Sequence, residues 1–121
     1  MDVKSYRDLI VWQKSMILVT DVYLCTKYFP KEEVYGLTCQ LKRAVVSIPS
    51  NIAEGHGRDS TKEYIHFLSI AYGSLMEVET QLQIAVNLKF IEQSEANKMF
   101  YATAEIGRMI NGLSRSLKNK I

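Results

Sequence analysis

The sequence predicts an all-α fold, an antiparallel up-down-up-down four-helix bundle, on three observations. Apolar residues recur at three- and four-residue steps along almost the whole chain. No segment alternates apolar and polar residues as a half-buried strand would. Helix-breaking punctuation is sparse, with Pro30 and the Gly55-His56-Gly57 turn as its clearest marks. Long helices joined by short connections pack as antiparallel neighbours. The 121 residues fit one domain, 1–121, with no repeat, linker or low-complexity tract.

The first helix is expected over residues 6–29. Ser5 can cap it, and Asp8 suits the positive end of its dipole. Pro30 ends it, because the residue before a proline avoids helical angles. The second helix is expected over 31–54, with Glu32 and Glu33 in its first turn. Pro49 lies inside it and removes the bond to the Val45 carbonyl, so a kink is expected there. Gly55 and Gly57 are expected to end this helix in left-handed conformations. The third helix starts at Ser60, where Ser60-Thr61-Lys62-Glu63 reads as a capping box, and runs to about Leu88. The fourth starts after Ser94 and runs to about Lys118.

Two helices have plain core stripes. On the third these are Tyr64, Phe67, Leu68, Ala71, Leu75, Val78, Leu82 and Ala85. On the fourth they are Met99, Ile106, Ile110, Leu113 and Leu117. The first helix is apolar nearly all round. Leu9, Trp12, Met16, Val19 and Tyr23 make one stripe, and Ile10, Ile17, Leu24 and Tyr28 a second. Val11, Leu18, Val22, Cys25 and Phe29 fall on the far side. One small bundle cannot cover every face of its own edge helix, so a subunit interface is expected. Its expected residues are Val11, Leu18, Val22 and Phe29, joined by Ile70, Gly73 and Ile84 opposite the core stripe of the third helix.

Composition sets bounds. Apolar residues make up 47% and charged residues 23%, as in ordinary globular proteins. No apolar run approaches the ~18 residues of a membrane span. Met1-Asp2-Val3-Lys4 lacks a basic-then-apolar leader pattern, so a cytoplasmic location is expected. Cys25 and Cys39 form neither a disulfide framework nor a zinc ligand set, and read as free buried thiols. A net charge of +2 does not mark a nucleic-acid binder. Its distribution is more telling, since Arg108, Arg115, Lys118 and Lys120 crowd a C-terminal stretch without acids.

On the second helix Gln40, Arg43, Ser47, Asn51 and Glu54 fall within an arc of about 80° at roughly 100° per residue. This polar stripe reads either as a binding or catalytic face ending at Glu54 and His56, or as a half-buried boundary. The second reading expects Arg43 to pair with an acid such as Glu77. Glu63-x-x-His66 has di-iron spacing, but such sites need two pairs and two further glutamates, so no metal or other cofactor is expected. Gly55-His56-Gly57-Arg58 follows a helix rather than a strand and lacks the ending of a phosphate loop. Arg58 just before a helix N-terminus could still hold an anion. No nucleophile is matched to a base at a recognisable spacing, so no catalytic residue is assigned.

Three blocks carry a family resemblance over nearly the whole chain. They are Tyr6-Arg7-Asp8-Leu9 with Trp12-Gln13, then Gln40-Leu41-Lys42-Arg43-Ala44 running into Ser47-Ile48-Pro49-Ser50-Asn51-Ile52-Ala53-Glu54-Gly55, then Gly73-Ser74-Leu75-Met76-Glu77. They resemble the four-helix-bundle proteins encoded in intervening sequences of bacterial 23S ribosomal RNA genes. The resemblance implies an up-down-up-down bundle, usually a homopentamer around a central channel. It extends to the basic accessory protein of diversity-generating retroelements, which works with a reverse transcriptase and nucleic acid. The ribosomal-protein-like label of the family comes from gene location.

The leading expectation is a non-catalytic homo-oligomer that binds RNA or a nucleic-acid-handling protein. Its phosphate contacts would be Arg58, Lys62, Arg108, Arg115, Lys118 and Lys120, with Lys42 projecting from the far side of the second helix. The alternative is a pure protein–protein scaffold. An enzyme using Glu54, His56 and Glu77 requires those groups to converge in one pocket.

Overall fold

A computed structural model describes residues 3–121. Met1 and Asp2, the start of the stretch that lacks a leader pattern, lie outside the described residues. Four helices carry the fold: α1 (Ile10–Thr26), α2 (Leu37–His56), α3 (Thr61–Asn87) and α4 (Gln93–Lys118). There is no strand among the described residues.

Contacts between helices give their directions. Ser47 bonds Ser74, while Gly55 meets Tyr64 and Phe67, so residue number rises on α2 as it falls on α3. Thr103 bonds Glu79, while Gly107 lies against Tyr72 and Leu75, which reverses α4 against α3. Lys14 pairs with Glu105, and Cys25 lies beside Glu95 and Met99, which reverses α1 against α4. One end of the bundle therefore gathers the N-terminal stretch, the α2–α3 turn and the last turns of α4. The other gathers the α1–α2 and α3–α4 connections.

The N-terminal boundaries differ from expectation for local reasons. Ser5 does form a capping box with Asp8, but around a 3-10 turn, Tyr6–Asp8. Leu9 then turns extended (ψ 123°), and α1 begins only at Ile10. Beyond Pro30 the first turn is again 3-10, Lys31–Glu33. Gly36 leaves helical space (ψ −116°), and the Glu33 carboxylate accepts the Leu37 N–H at 3.1 Å. That bond satisfies one orphan donor at the true start of α2. α2 then runs through Pro49 to His56.

Gly55 and Gly57 are not left-handed. Both keep negative φ, and Gly55 lies within α2. It is there because a Cβ would stand 2.9 Å from Phe67 Cβ and 3.0 Å from the Tyr64 ring. Among the described residues the left-handed one is Lys89 (φ 64°), which ends α3. There the Phe90 N–H reaches the Ala85 carbonyl and the Lys89 N–H that of Val86, the two bonds of a Schellman motif. Ser60 caps α3, its hydroxyl accepting the Glu63 N–H at 3.3 Å.

The core corrects the expected subunit interface. Val11, Leu18, Val22 and Phe29 are buried within the single chain, with Leu18 and Val22 fully enclosed. Together with Ser15 and Cys25 they make the inward seam of α1 and of the turn behind it, which packs against α2 and α4. A helix apolar nearly all round has almost no preferred direction, so its wheel alone cannot choose the seam. The apolar residues left outside are Ile10, Ile17, Leu24 and Tyr28, with Met16 and Tyr23 on the other flank. Ile70 and Ile84 on α3 do remain about 40% exposed, and Gly73 is open.

Candidate functional site

Five of the seven expected phosphate contacts meet at one end of the bundle. Arg58 and Lys62 flank the α2–α3 turn, and Arg115, Lys118 and Lys120 close α4 and the tail behind it. Lys4 and Arg7 join them, because Val3, Leu9 and Ile10 share a surface groove with Met109 and Leu113. Sequence reading missed these two; they lie over a hundred residues from Arg115, and only the helix directions bring them together. The same end carries Asp8, Glu54, Asp59 and Glu63, and Arg58 is already committed. Its guanidinium pairs with Glu54 at 2.9 Å and lies 4.8 Å from the centre of the Phe67 ring. The opposite end is more acidic, with Glu32, Glu33, Glu92 and Glu95 among Lys27, Lys31 and Lys89.

Two expected contacts stand apart from this end. Arg108 is exposed about two turns up α4. Lys42 lies far along α2, half-buried, with its ammonium 4.8 Å above the Tyr23 ring.

The polar stripe of α2 splits into a satisfied half and an open half. Asn51 donates to both the carbonyl and the hydroxyl of Ser47, at 2.7 and 2.8 Å. Ser74 of α3 donates to the same hydroxyl at 2.9 Å. This half behaves as the boundary reading expects. The open half does not. Among the described residues the ion pairs are Lys14–Glu105 and Arg58–Glu54, so the expected Arg43–Glu77 pair is not made. Arg43 and Glu77 instead line a groove of about 500 Å³ between α2 and α3. Gln81 forms part of its wall, 8% exposed, and among the described residues the Gln81 Oε1 has no hydrogen-bond partner. An orphaned buried acceptor of this kind costs roughly 1–3 kcal/mol. Tyr35 stands at the groove mouth and is 93% exposed.

Glu54, His56 and Glu77 do not converge. Ser47 faces Ser74, so Glu77 sits near residue 44 of α2, ten residues or about 15 Å from Glu54. His56 packs edge-on against Tyr64, and Glu54 holds Arg58. Among the described residues no three His, Cys, Asp or Glu side chains gather where they could hold a metal ion. Nor, among those residues, is any helix long and apolar enough to cross a membrane.

The sequence profile of the family described as 23S rRNA-intervening sequence protein matches residues 7–112. The chain belongs to that family. The fold of this intervening-sequence protein is similar to a solved structure from Bacteroides thetaiotaomicron, a protein of unknown function from the S23 ribosomal protein family. The two are 21% identical and superpose with a TM-score of 0.81 over 88% of this chain and 96% of the other. No curated protein matches the chain.

The cysteines are free, Cys25 buried and Cys39 half-buried. Burial pushes the Cys25 thiol up to about 11, and the Glu95 and Asp21 carboxylates add to that rise. Thiolate is the reactive form, so Cys25 of this intervening-sequence protein is expected to resist iodoacetamide at about pH 8 and to react only in denaturant. Mass spectrometry of the two alkylation states checks this. Prompt labelling of Cys25 in the folded protein would contradict its enclosure.

Proposed function

We propose that this intervening-sequence protein is a non-catalytic, cytoplasmic homo-oligomer whose basic end contacts RNA. The observation that carries the reading is the meeting of Lys4, Arg7, Lys62, Arg115, Lys118 and Lys120 at one end of the bundle. A symmetric assembly repeats that patch around its axis, and the homopentamer implied by the family resemblance would present it five times over. Self-association is supported by the apolar residues that α1 leaves outside its own core. The dispersal of Glu54, His56 and Glu77 supports a binding role over an enzymatic one.

Affinity for a structured RNA is expected to fall steeply as salt rises from about 50 to 200 mM, because each neutralised phosphate releases counterions. The double variant Arg115→Glu, Lys118→Glu is expected to weaken binding and to flatten the salt slope by about two phosphate contacts. Absent binding at about 50 mM salt, or a slope near zero, would sink the RNA reading. Tyr28 at 74% and Tyr35 at 93% exposure favour the scaffold alternative, since aromatic anchors mark protein interfaces. If the charge-reversed protein keeps a protein partner while the parent binds no RNA, the scaffold reading replaces this one.

A further inference from the structure

The α2–α3 groove holds a set of polar groups that the fold leaves unmatched. Arg43 offers guanidinium donors with no carboxylate to meet them, and Glu77 offers a carboxylate with no cation, among the described residues. Gln81 is more than nine-tenths buried in the groove wall, with its unpartnered Oε1 enclosed behind the groove surface. The Tyr35 ring stands open at the mouth. The volume of about 500 Å³ lies within the ~300–1,000 Å³ of small-ligand sites. An intramolecular pair between Arg43 and Glu77 would close the groove, and its absence keeps both charges available.

An occupant that answers the three open groups, Arg43, Glu77 and Tyr35, is planar, to stack on Tyr35. It presents adjacent N–H donors to Glu77, and it carries an anion for Arg43. Among the common bases, guanine alone places two neighbouring donors, N1–H and N2–H, on its pairing edge, where a carboxylate can accept both. Adenine and cytosine set a ring acceptor beside their single amino group, and uracil sets its one donor between two carbonyls. Either arrangement turns a lone pair towards Glu77. A phosphate supplies the anion, and Arg takes it in a forked, charge-assisted pair. Unpaired bases in RNA are read in this way, through their pairing edges and by stacking on aromatic rings.

We propose that the α2–α3 groove binds a guanine nucleotide, with the base stacked on Tyr35, its pairing edge on Glu77, and its phosphate on Arg43. The proposal deepens the RNA reading by naming what the protein would recognise, although the groove lies away from the basic end. The nucleotide could be free or could be an unpaired guanosine within RNA, and the chemistry is shared.

The test is equilibrium titration of the full chain with four probes: GMP, UMP, octauridylate, and octauridylate carrying one central guanosine. The guanine-bearing member of each pair is expected to bind about tenfold or more tightly than its uridine counterpart, as one stacked and bonded base allows. Glu77→Gln is expected to erase that preference while leaving octauridylate binding unchanged, and Tyr35→Ala to weaken every guanine probe about tenfold. Both positions are exposed, so unchanged thermal unfolding will show that the fold is intact. Preference for GMP without binding of either RNA would support the groove with a free nucleotide as its ligand, and would overturn the RNA reading alone. Salt-dependent binding of both RNAs with equal affinity would overturn the groove alone. A guanine preference that survives Glu77→Gln would also overturn it.

Discussion

Leu18→Ala is expected to cost about 2–5 kcal/mol of folding stability, whereas Ile17→Ala shifts it by no more than about 0.5 kcal/mol. The two residues are neighbours in sequence and similar in chemistry. Leu18 is fully enclosed and Ile17 is 61% exposed. Truncating Leu18 removes its transfer energy and leaves a cavity against the core of α2, α3 and α4, which rigid helices collapse into only partly. Truncating Ile17 removes a side chain that water already reaches. Urea unfolding of the two variants reads the difference. Equal losses would mean that α1 is rotated from the orientation described. The outer residues have their own readout. Ile17→Glu with Leu24→Glu is expected to leave the helix content intact and to lower the mass seen by light scattering at micromolar concentration. A parent protein that is already monomeric there would remove the case for self-association.

The face of α1 shows how far the sequence was legible. Its length and helical character could be read directly. Its inward direction could not be read from hydrophobicity, because apolar residues ring the helix. A usable signal lay in the polar residues. Gln13, Thr20 and Lys27 recur at seven-residue steps, and at roughly 100° per residue they stand about opposite Leu18. A polar line at that spacing marks the solvent side and so fixes the seam as Val11, Ser15, Leu18, Val22, Cys25 and Phe29. Ser15 and Cys25 are small, which suits positions where helices approach. α3 and α4 needed no such tie-break, since their apolar stripes are one-sided and the structure buries most of those same residues.

The candidate sites were legible in a different proportion. Arg58, Lys62, Arg115, Lys118 and Lys120 could be named from charge distribution, but their meeting at one end follows from helix directions that a charge count does not contain. Lys4 and Arg7 were invisible for the same reason. The α2–α3 groove was half visible. The polar stripe from Gln40 to Glu54 was evident on the wheel, and Ser47, Asn51 and Ser74 satisfy one another as a boundary should. That Arg43 and Glu77 stay apart, and that Gln81 is buried beside them without a donor, depends on distances between helices that no periodicity encodes.

Gly55→Ala is expected to destabilise the protein by about 1–3 kcal/mol, against the usual sign of a glycine-to-alanine change within a helix. In an exposed helix interior that change gains about 0.5–1 kcal/mol, because alanine has less backbone freedom to lose. At Gly55 the new methyl would lie 2.9 Å from Phe67 Cβ, 3.0 Å from Tyr64 Cδ1 and 3.2 Å from the Tyr64 carbonyl oxygen. Two of those atoms are fixed to the α3 backbone and cannot swing aside, so α2 and α3 must separate. That separation would loosen the first turns of α3, where His56 packs on Tyr64 and Arg58 on Phe67. Gly112 of α4 supplies the control, because a methyl added there would meet nothing within 4 Å. Gly112→Ala is expected to gain about 0.5–1 kcal/mol. Urea titrations of both variants decide the matter: if Gly55→Ala stabilises as Gly112→Ala does, the close approach at the α2–α3 turn is not what requires glycine there.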